Sequence, residues 1–407
     1  MPSLKSINQD DLRNHNLSVV LDTLLQSAEP MSRAELAKST GLTKATMSLL
    51  VPMLISGRVV REGQPNAATV YGRPSTPLMI AGGRMCGIGL QINTDGYGYM
   101  VLDLDGKTVS EQWVSQSMGE VRPEDIFGKL DRLVARGERE IKKKGYRVAG
   151  CGLALPGLVT EDMRLIKARN LGWEQLNLGE FDLVKRLDVH PDNEANMAAL
   201  AQIPGYATRR MEGGVVGPSE SFLYISTDIG IGGALVRRGQ VERGDHGFAG
   251  ELGHLSVSLD GPVCSCRRRG CVEAYAGRRA LVESAGIASG SKAIRIEAAG
   301  ELLKRWESGD NRAQEAVDKA VEALASVMVS AINVLDVDAV ILGGIWERFG
   351  DGLARRIEDR VGPQLLVAPV ARPRVLLPDI RVRPALRGAA EVGLRHFLDN
   401  PLTFLGQ

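Results

Sequence analysis

Three of the chain's five cysteines fall within eight positions, as Cys264-Ser265-Cys266-Arg267-Arg268-Arg269-Gly270-Cys271, and His254 lies ten residues before the first of them. Zinc favours thiolate sulfur and imidazole nitrogen, and four protein ligands leave no open position for water, so a set of this kind is structural. We read His254, Cys264, Cys266 and Cys271 as the ligands of one structural zinc ion per chain, which would stiffen the loop that carries them. Buried free thiols or a disulfide are the alternatives. A bridge between Cys264 and Cys266 would close a very small ring, and a reducing cytosol disfavours disulfides.

Around this loop there is room for two or three packed domains in 407 residues, 44% hydrophobic and 24% charged, with no compositional sign of disorder. The net charge of +1 advertises neither nucleic acid nor membrane, so any DNA contact must come from a local patch. The first residues lack an apolar signal core, and no run of about 18 apolar residues occurs, so the sequence predicts a cytoplasmic protein without a membrane span.

From the N-terminus, apolar residues at 17, 20, 21, 24 and 25 have the spacing of an amphipathic helix over residues 16–25. Ser32-Arg33-Ala34-Glu35 is a capping box opening a second helix to about Ser39, and Gly41 supplies a turn. A third helix begins at Thr43-Lys44-Ala45-Thr46-Met47-Ser48, with Leu50 and Leu54 turned inward; Thr43, Lys44, Ala45, Thr46 and Ser48 are the candidate DNA contacts. This is a helix-turn-helix pattern, whose second member enters the major groove. Pro52 should kink or shorten that helix, at about 3 kcal/mol. Residues 58–62 read as a strand, 63–66 as a turn and 69–71 as the returning strand of a wing. A small helical interaction domain that touches no DNA is the alternative for this region. The prolines and glycines of 74–83 read as a linker.

Beyond it, strands expected at 86–92, 97–104 and 148–159 alternate with an amphipathic helix at 123–144, which implies an α/β fold around a central sheet.

Gly250-Glu251-Leu252-Gly253-His254, followed by the cysteine run and Glu273, resembles the G-E-x-G-H and C-x-C-G-x-x-G-C-x-E signature of the ROK family of bacterial repressors, open-reading-frame proteins and sugar kinases. Arg267 stands where that family usually has glycine. The resemblance implies a two-lobed, actin-like and ribonuclease-H-like sugar-binding domain, with sugar between the lobes. It implies that Glu251 and Glu273 bind sugar hydroxyls and that His254 sits at both the zinc and the sugar. Gly150-Cys151-Gly152 to Pro156-Gly157 is similar to the family's G-x-G-x-P-G, and Asn170-Leu171-Gly172-Trp173 to its substrate-side N-x-G-W loop, although packing is the commoner fate of a tryptophan. Asn193-Glu194-Ala195-Asn196 stands where family kinases carry N-D-A-N with a catalytic aspartate. Glu194 reaches one methylene further, and base catalysis depends on hydrogen-bond reach. The N-E-A-N form, and Gly72-Arg73-Pro74 as a basic hook for a narrow minor groove, resemble xylose-repressor-like members.

Phosphoryl transfer requires a phosphate cradle. Family kinases place D-x-G-G-T where this chain has Gln91-Ile92-Asn93-Thr94-Asp95, and G-T-G-I-G-G-G where it has Asp228-Ile229-Gly230-Ile231-Gly232-Gly233-Ala234. Side chains replace cradle glycines, and Asp95 and Asp228 repel phosphate. Val340-Ile341-Leu342-Gly343-Gly344 resembles the adenosine-side strand end, which the fold alone can maintain. The sequence therefore reads as a non-catalytic, sugar-responsive repressor with Asn170, Asn193, Glu194, Glu251, His254 and Glu273 as sugar-binding residues. Its expected partners are operator DNA with an inverted repeat, a sugar effector and further copies of itself, as a homodimer or homotetramer. An ATP-dependent sugar kinase with a DNA-binding arm and a protein-binding adaptor are the other readings. The expected divisions are a winged helix-turn-helix at 1–75, a linker at 76–83, one lobe at 84–200 with a C-terminal helix at 387–407, and a zinc-bearing lobe at 201–386.

Overall fold

A computed structural model describes residues 8–64, 75–119, 121–210, 214–366, 368, 370 and 372–405. Its contacts divide into two units: residues 1–193, 203–218 and 385–407 form the first, and 194–202 with 219–384 the second. No described helix is long and apolar enough to cross a membrane.

The first unit opens with α1 (Gln9–Gln26), capped by the Asn8 and Asp11 box, then β1 (Met31–Ser32) and α2 (Arg33–Thr40), where Ser32 and Glu35 form the second box. Gly41 at φ +72 ends α2, and Thr43 caps α3 (Lys44–Ser56) by accepting from the Thr46 amide. Met47, Leu50, Val51 and Leu54 face inward. Pro52 neither ends nor shortens this helix. It is exposed, as is Ser48, so the backbone bond it forgoes falls on the solvent side.

One expectation is corrected here. Among the described residues, β2 (Val60–Glu62) pairs antiparallel with β3 (Pro77–Ile80), Val60 with Ile80 and Glu62 with Leu78, and β3 also pairs with β1. The stretch expected as a linker at 76–83 therefore contains β3, the central strand of a small sheet, with Leu78 and Ile80 buried. Proline is tolerated at the first position of a strand, so Pro77 is no obstacle. The returning strand expected at 69–71, and Arg73, lie outside the described residues.

The main sheet of this unit has the order β11-β7-β4-β5-β6, from β4 (Met85–Asn93), β5 (Gly96–Asp103), β6 (Thr108–Ser115), β7 (Arg147–Leu155) and β11 (Val189–Asn193). A smaller sheet holds β8 (Leu158–Val159), β9 (Arg164–Ala168) and β10 (Trp173–Asn177). Helix α4 (Pro123–Lys143) has proline in its first turn, acids at its start and lysines at its end, matching its dipole. A short α5 (Asp182–Leu187) precedes β11. The other face of the sheet takes a later helix of the chain, Pro384–Asp399, so closely that a Cβ on Gly87, Gly89 or Gly152 would run into the carbonyls of Ala390, Leu386 or Ala389.

The same core continues from Leu17, Leu21 and Leu54 through Leu78 and Leu102 to Leu394 and Phe397. Asp22 and Arg395 form a two-pronged ion pair at 2.7 and 2.9 Å, Arg395 also donates to the Tyr206 carbonyl, and Asn14 bonds the Asp399 carbonyl and the Leu402 amide. The N-terminal helices are thus built into this unit.

The second unit starts with α6 (Glu194–Leu200), and its sheet has the order β14-β13-β12-β15-β16: β12 (Phe222–Thr227), β13 (Ile231–Arg237), β14 (Gln240–Glu242), β15 (Ala339–Gly344) and β16 (Arg374–Leu376). Its helices are α7 (Glu273–Ala276), α8 (Arg278–Ser284), α9 (Ile296–Glu307), α10 (Asn311–Leu335) and α11 (Gly350–Val361), while α12 (Pro384–Asp399) and α13 (Pro401–Leu405) close the chain in the first unit. The expected division at 200/201 is displaced, because 203–218 return to the first unit, where the Thr208 hydroxyl donates to buried Glu391 of α12.

Candidate functional site

The zinc-type ligands converge. The four ligand atoms of His254, Cys264, Cys266 and Cys271 lie within 4.8 Å of one another, with Cys264 Sγ 3.6 Å from His254 Nδ1 and Cys266 Sγ 3.6 Å from Cys271 Sγ. A tetrahedral zinc with its usual bond lengths has sulfur–sulfur edges of about 3.7 Å, so the residues present fit that ion. All five cysteines are free thiols, and the small-ring bridge is not formed. Burial pushes the Cys264 thiol up and that of Cys271 to about 12, with neighbouring thiols adding to the second. A cation entering here displaces protons.

Glycines explain how the motif folds. Gly250, at φ +99, leaves no room for a Cβ 2.5 Å from the Gly233 carbonyl, and a Cβ on Gly253 would run into the Ile231 carbonyl. Both hold the loop against β13, which aims Glu251 and His254. The cysteine run folds back through bridges Ser256 to Cys271 and Val263 to Arg269. With Nδ1 of His254 facing the thiols, its Nε2 points towards Glu251, whose Oε2 lies 3.8 Å away, beyond direct hydrogen-bond distance.

Glu273 joins the cluster to the glycine loop of β13. Its Oε1 accepts from Ser265 Oγ at 2.7 Å and from Cys264 Sγ at 3.5 Å, and its Oε2 from the Ile231 amide at 3.3 Å. Gly230 has no space for a side chain beside that carboxylate. Glu251, His254 and Glu273 therefore belong to one corner of the second unit, which also contains Glu194 at the start of α6. Asn170 and Asn193 belong to the first unit. Asn193 donates to the Gly157 carbonyl at 2.7 Å, and Asn170 is exposed on a 3-10 turn. Trp173 is core: it is 4% exposed, and its indole donates to the Val121 carbonyl.

The two loops compared with phosphate cradles are closed by protein groups. Asn93 caps its own turn by accepting from the Asp95 amide at 2.8 Å. Asp228 pairs at 2.5 Å with Arg278, a fully buried guanidinium whose amide also donates to the Asp228 carbonyl. Sequence reasoning missed Arg278 and Ser265, since no short spacing links either to its partner. Gly343 is pressed against the Tyr224 hydroxyl and Gly344 against Thr227, so packing alone requires both glycines.

At the N-terminal end, Thr43, Lys44, Ala45, Ser48 and Leu49 are exposed on α3. The Thr43 and Thr46 hydroxyls bond each other at 2.9 Å, and Ser48 donates to the Lys44 carbonyl.

A pair of α/β units with a Cys3His knot inside a G-E-L-G-H loop defines a ROK-type protein, and the ROK family pattern matches residues 88–395; the chain belongs to that family. The xylose repressor of Bacillus spizizenii is 26% identical over 96% of this chain and 98% of its own length. A crystal structure of a ROK family transcriptional regulator, a homologue of the Escherichia coli MLC protein, shares the fold with a TM-score of 0.76 at 20% identity, covering 97% of this chain and 99% of that one. The ROK hexokinase of Thermus thermophilus matches with a TM-score of 0.59 at 27% identity, over 78% of this chain and 99% of its own.

Proposed function

We propose that the protein is a sugar-responsive DNA-binding transcriptional repressor of carbohydrate-metabolism genes, whose ROK domain binds a sugar effector without phosphorylating it. One observation carries the reading: the capped helix pair α2 and α3 stands ahead of the ROK-matched residues, in a chain that aligns along nearly its whole length with a xylose repressor. Xylose is accordingly the first effector to test.

In this reading Asn170, Asn193, Glu194, Glu251, His254 and Glu273 are the sugar-binding residues, since carboxylates and amides supply the acceptors and donors a polyol needs. The structural ion is zinc, held by His254, Cys264, Cys266 and Cys271, and its contribution is to fix the loop that carries Glu251 and Glu273. Thr43, Lys44, Ala45, Thr46, Ser48 and Arg73 contact DNA, with α3 in the major groove. A two-fold oligomer in the cytoplasm reads an inverted repeat. Non-catalysis is supported by the Asp228–Arg278 pair: a carboxylate already occupies the buried cation, where a phosphate would meet repulsion.

Operator titration by fluorescence anisotropy, with and without xylose, tests the reading, together with mass spectrometry of sugars incubated with ATP and magnesium. We expect sugar-dependent release from DNA and no sugar phosphate. Phosphate transfer at a steady turnover would replace this reading with that of a sugar kinase.

A further inference from the structure

Helix α3 buries Met47, Leu50, Val51 and Leu54, and the opposite arc holds Lys44, Ala45, Ser48, Leu49 and Pro52, all exposed. Leu49 is 72% exposed, at the edge of that arc and beside Ala45. A single exposed leucine on an ordinary surface needs no explanation. Its neighbours make this one different. Part of the hydroxyls' bonding capacity is already used within the helix: Thr43 accepts from the Thr46 amide and pairs with the Thr46 hydroxyl at 2.9 Å, and Ser48 donates to the Lys44 carbonyl at 2.9 Å. Lys44 is the one basic side chain on α3, and a flexible ammonium suits phosphate as a point charge. What α3 presents beside these is apolar, Ala45 and Leu49 one turn apart on the same face.

A major groove offers only one apolar group to such a surface, the C5-methyl of thymine, and side-chain contact with it discriminates T from the other bases. We infer that Leu49 is a specificity-determining residue, packing on the methyl group of one thymine in each operator half-site with Ala45 beside it. The inference rests on the DNA-binding reading above and names the base feature that α3 recognises. Leu49 lies in the second turn of α3, within the N-terminal part of a recognition helix that reaches base edges. Burying one methyl group corresponds to about a fourfold change in affinity.

The experiment uses the full-length protein and the operator recovered by selection from a random duplex pool. Each thymine of one half-site is replaced in turn by deoxyuridine, which removes the methyl and leaves the hydrogen-bonding edge intact. Wild type should lose about fourfold in affinity at one thymine. Leu49→Ala should bind the methylated and unmethylated duplexes equally, with an unchanged melting temperature because the side chain is exposed. Wild type indifferent to every replacement, or Leu49→Ala retaining the full deoxyuridine penalty, would overturn the inference while leaving DNA binding intact. A Leu49→Ala protein with normal operator affinity but altered mass in sedimentation would overturn it in favour of contact with a second copy. Failure of wild type to retain any duplex from the pool would overturn the DNA-binding reading itself, and Leu49 with it.

Discussion

Arg267 stands at φ +73, in the left-handed region where an L side chain costs about 1 to 2 kcal/mol. The ROK signature has glycine at the matching position, and this backbone angle is the physical reason. Replacing Arg267 with glycine relieves that strain but also loosens the unfolded chain, which offsets about 0.4 to 1 kcal/mol. Arg267→Gly should therefore stabilise the protein by about 1 kcal/mol or less, read as a rise in melting temperature with metal content unchanged. Glu347 offers a second test at this scale. Burial pushes its carboxyl up to about 7, against the Gly344 amide that donates to it at 2.9 Å and the Arg381 charge, both of which pull it down. An acid whose folded pKa exceeds its unfolded value, here 4.5, stabilises the fold below the unfolded pKa, and that stability is lost as pH rises towards the folded pKa. Glu347→Gln keeps an acceptor for Gly344 and has no charge to bury. Its melting temperature should exceed that of wild type at about pH 8 and match it at about pH 5, a difference on the order of 2 kcal/mol. Parallel pH profiles for the two proteins would show that Glu347 does not titrate in this window.

At the scale of elements, the loop from His254 to Glu273 holds its shape through a cation-sized knot and a few backbone bridges, with little apolar core of its own. Cys271→Ser should abolish binding of the proposed zinc ion and free the loop, since a structural zinc contributes folding free energy directly. Elemental analysis of protein purified without chelator, with proteolysis of the variant as the second readout, checks both claims; metal retained at one ion per chain by Cys271→Ser would refute them. This knot was legible in the sequence because ligand chemistry needs particular residue types at short spacing. The caps at Asn8, Ser32, Thr43 and Gly41 and the stripe of α4 leave equally local marks. Strand β3 leaves no such mark, because the prolines and glycines around Leu78-Met79-Ile80 look like a loop until the partners at 31–32 and 60–62 are known. The Asp228–Arg278 and Ser265–Glu273 contacts had no such mark either. They join residues whose pairing depends on the folded backbone, and Leu49 stands out only once Met47, Leu50, Val51 and Leu54 are seen to face inward.

At the scale of the whole molecule, the absence of a linker at 76–83 changes how a sugar signal can reach DNA. A tethered reading head could be re-aimed by tension on its tether. Here β3 runs within the sheet β1-β3-β2, one core extends from Leu17 to Phe397, and Asp22 and Arg395 clamp α1 to α12. The helices proposed to read DNA therefore share the first unit's core, and coupling requires the ligand to act through that core. Differential affinity for two states of this kind is typically about 1 to 3 kcal/mol, roughly 5- to 150-fold in operator affinity. Glu251→Ala and Glu273→Ala should bind operator as wild type does and no longer release it with sugar. Arg395→Ala separates the two halves of the argument. It leaves every proposed sugar and DNA contact in place but strips a pair whose side chains are 23% and 29% exposed, at a cost of about 2 kcal/mol for a partly buried ion pair. Its sugar binding by calorimetry should match wild type, whereas the ratio of operator affinities without and with sugar should fall towards one. If that ratio stays at the wild-type value while α1 becomes protease-sensitive, the signal does not travel through the α1–α12 clamp.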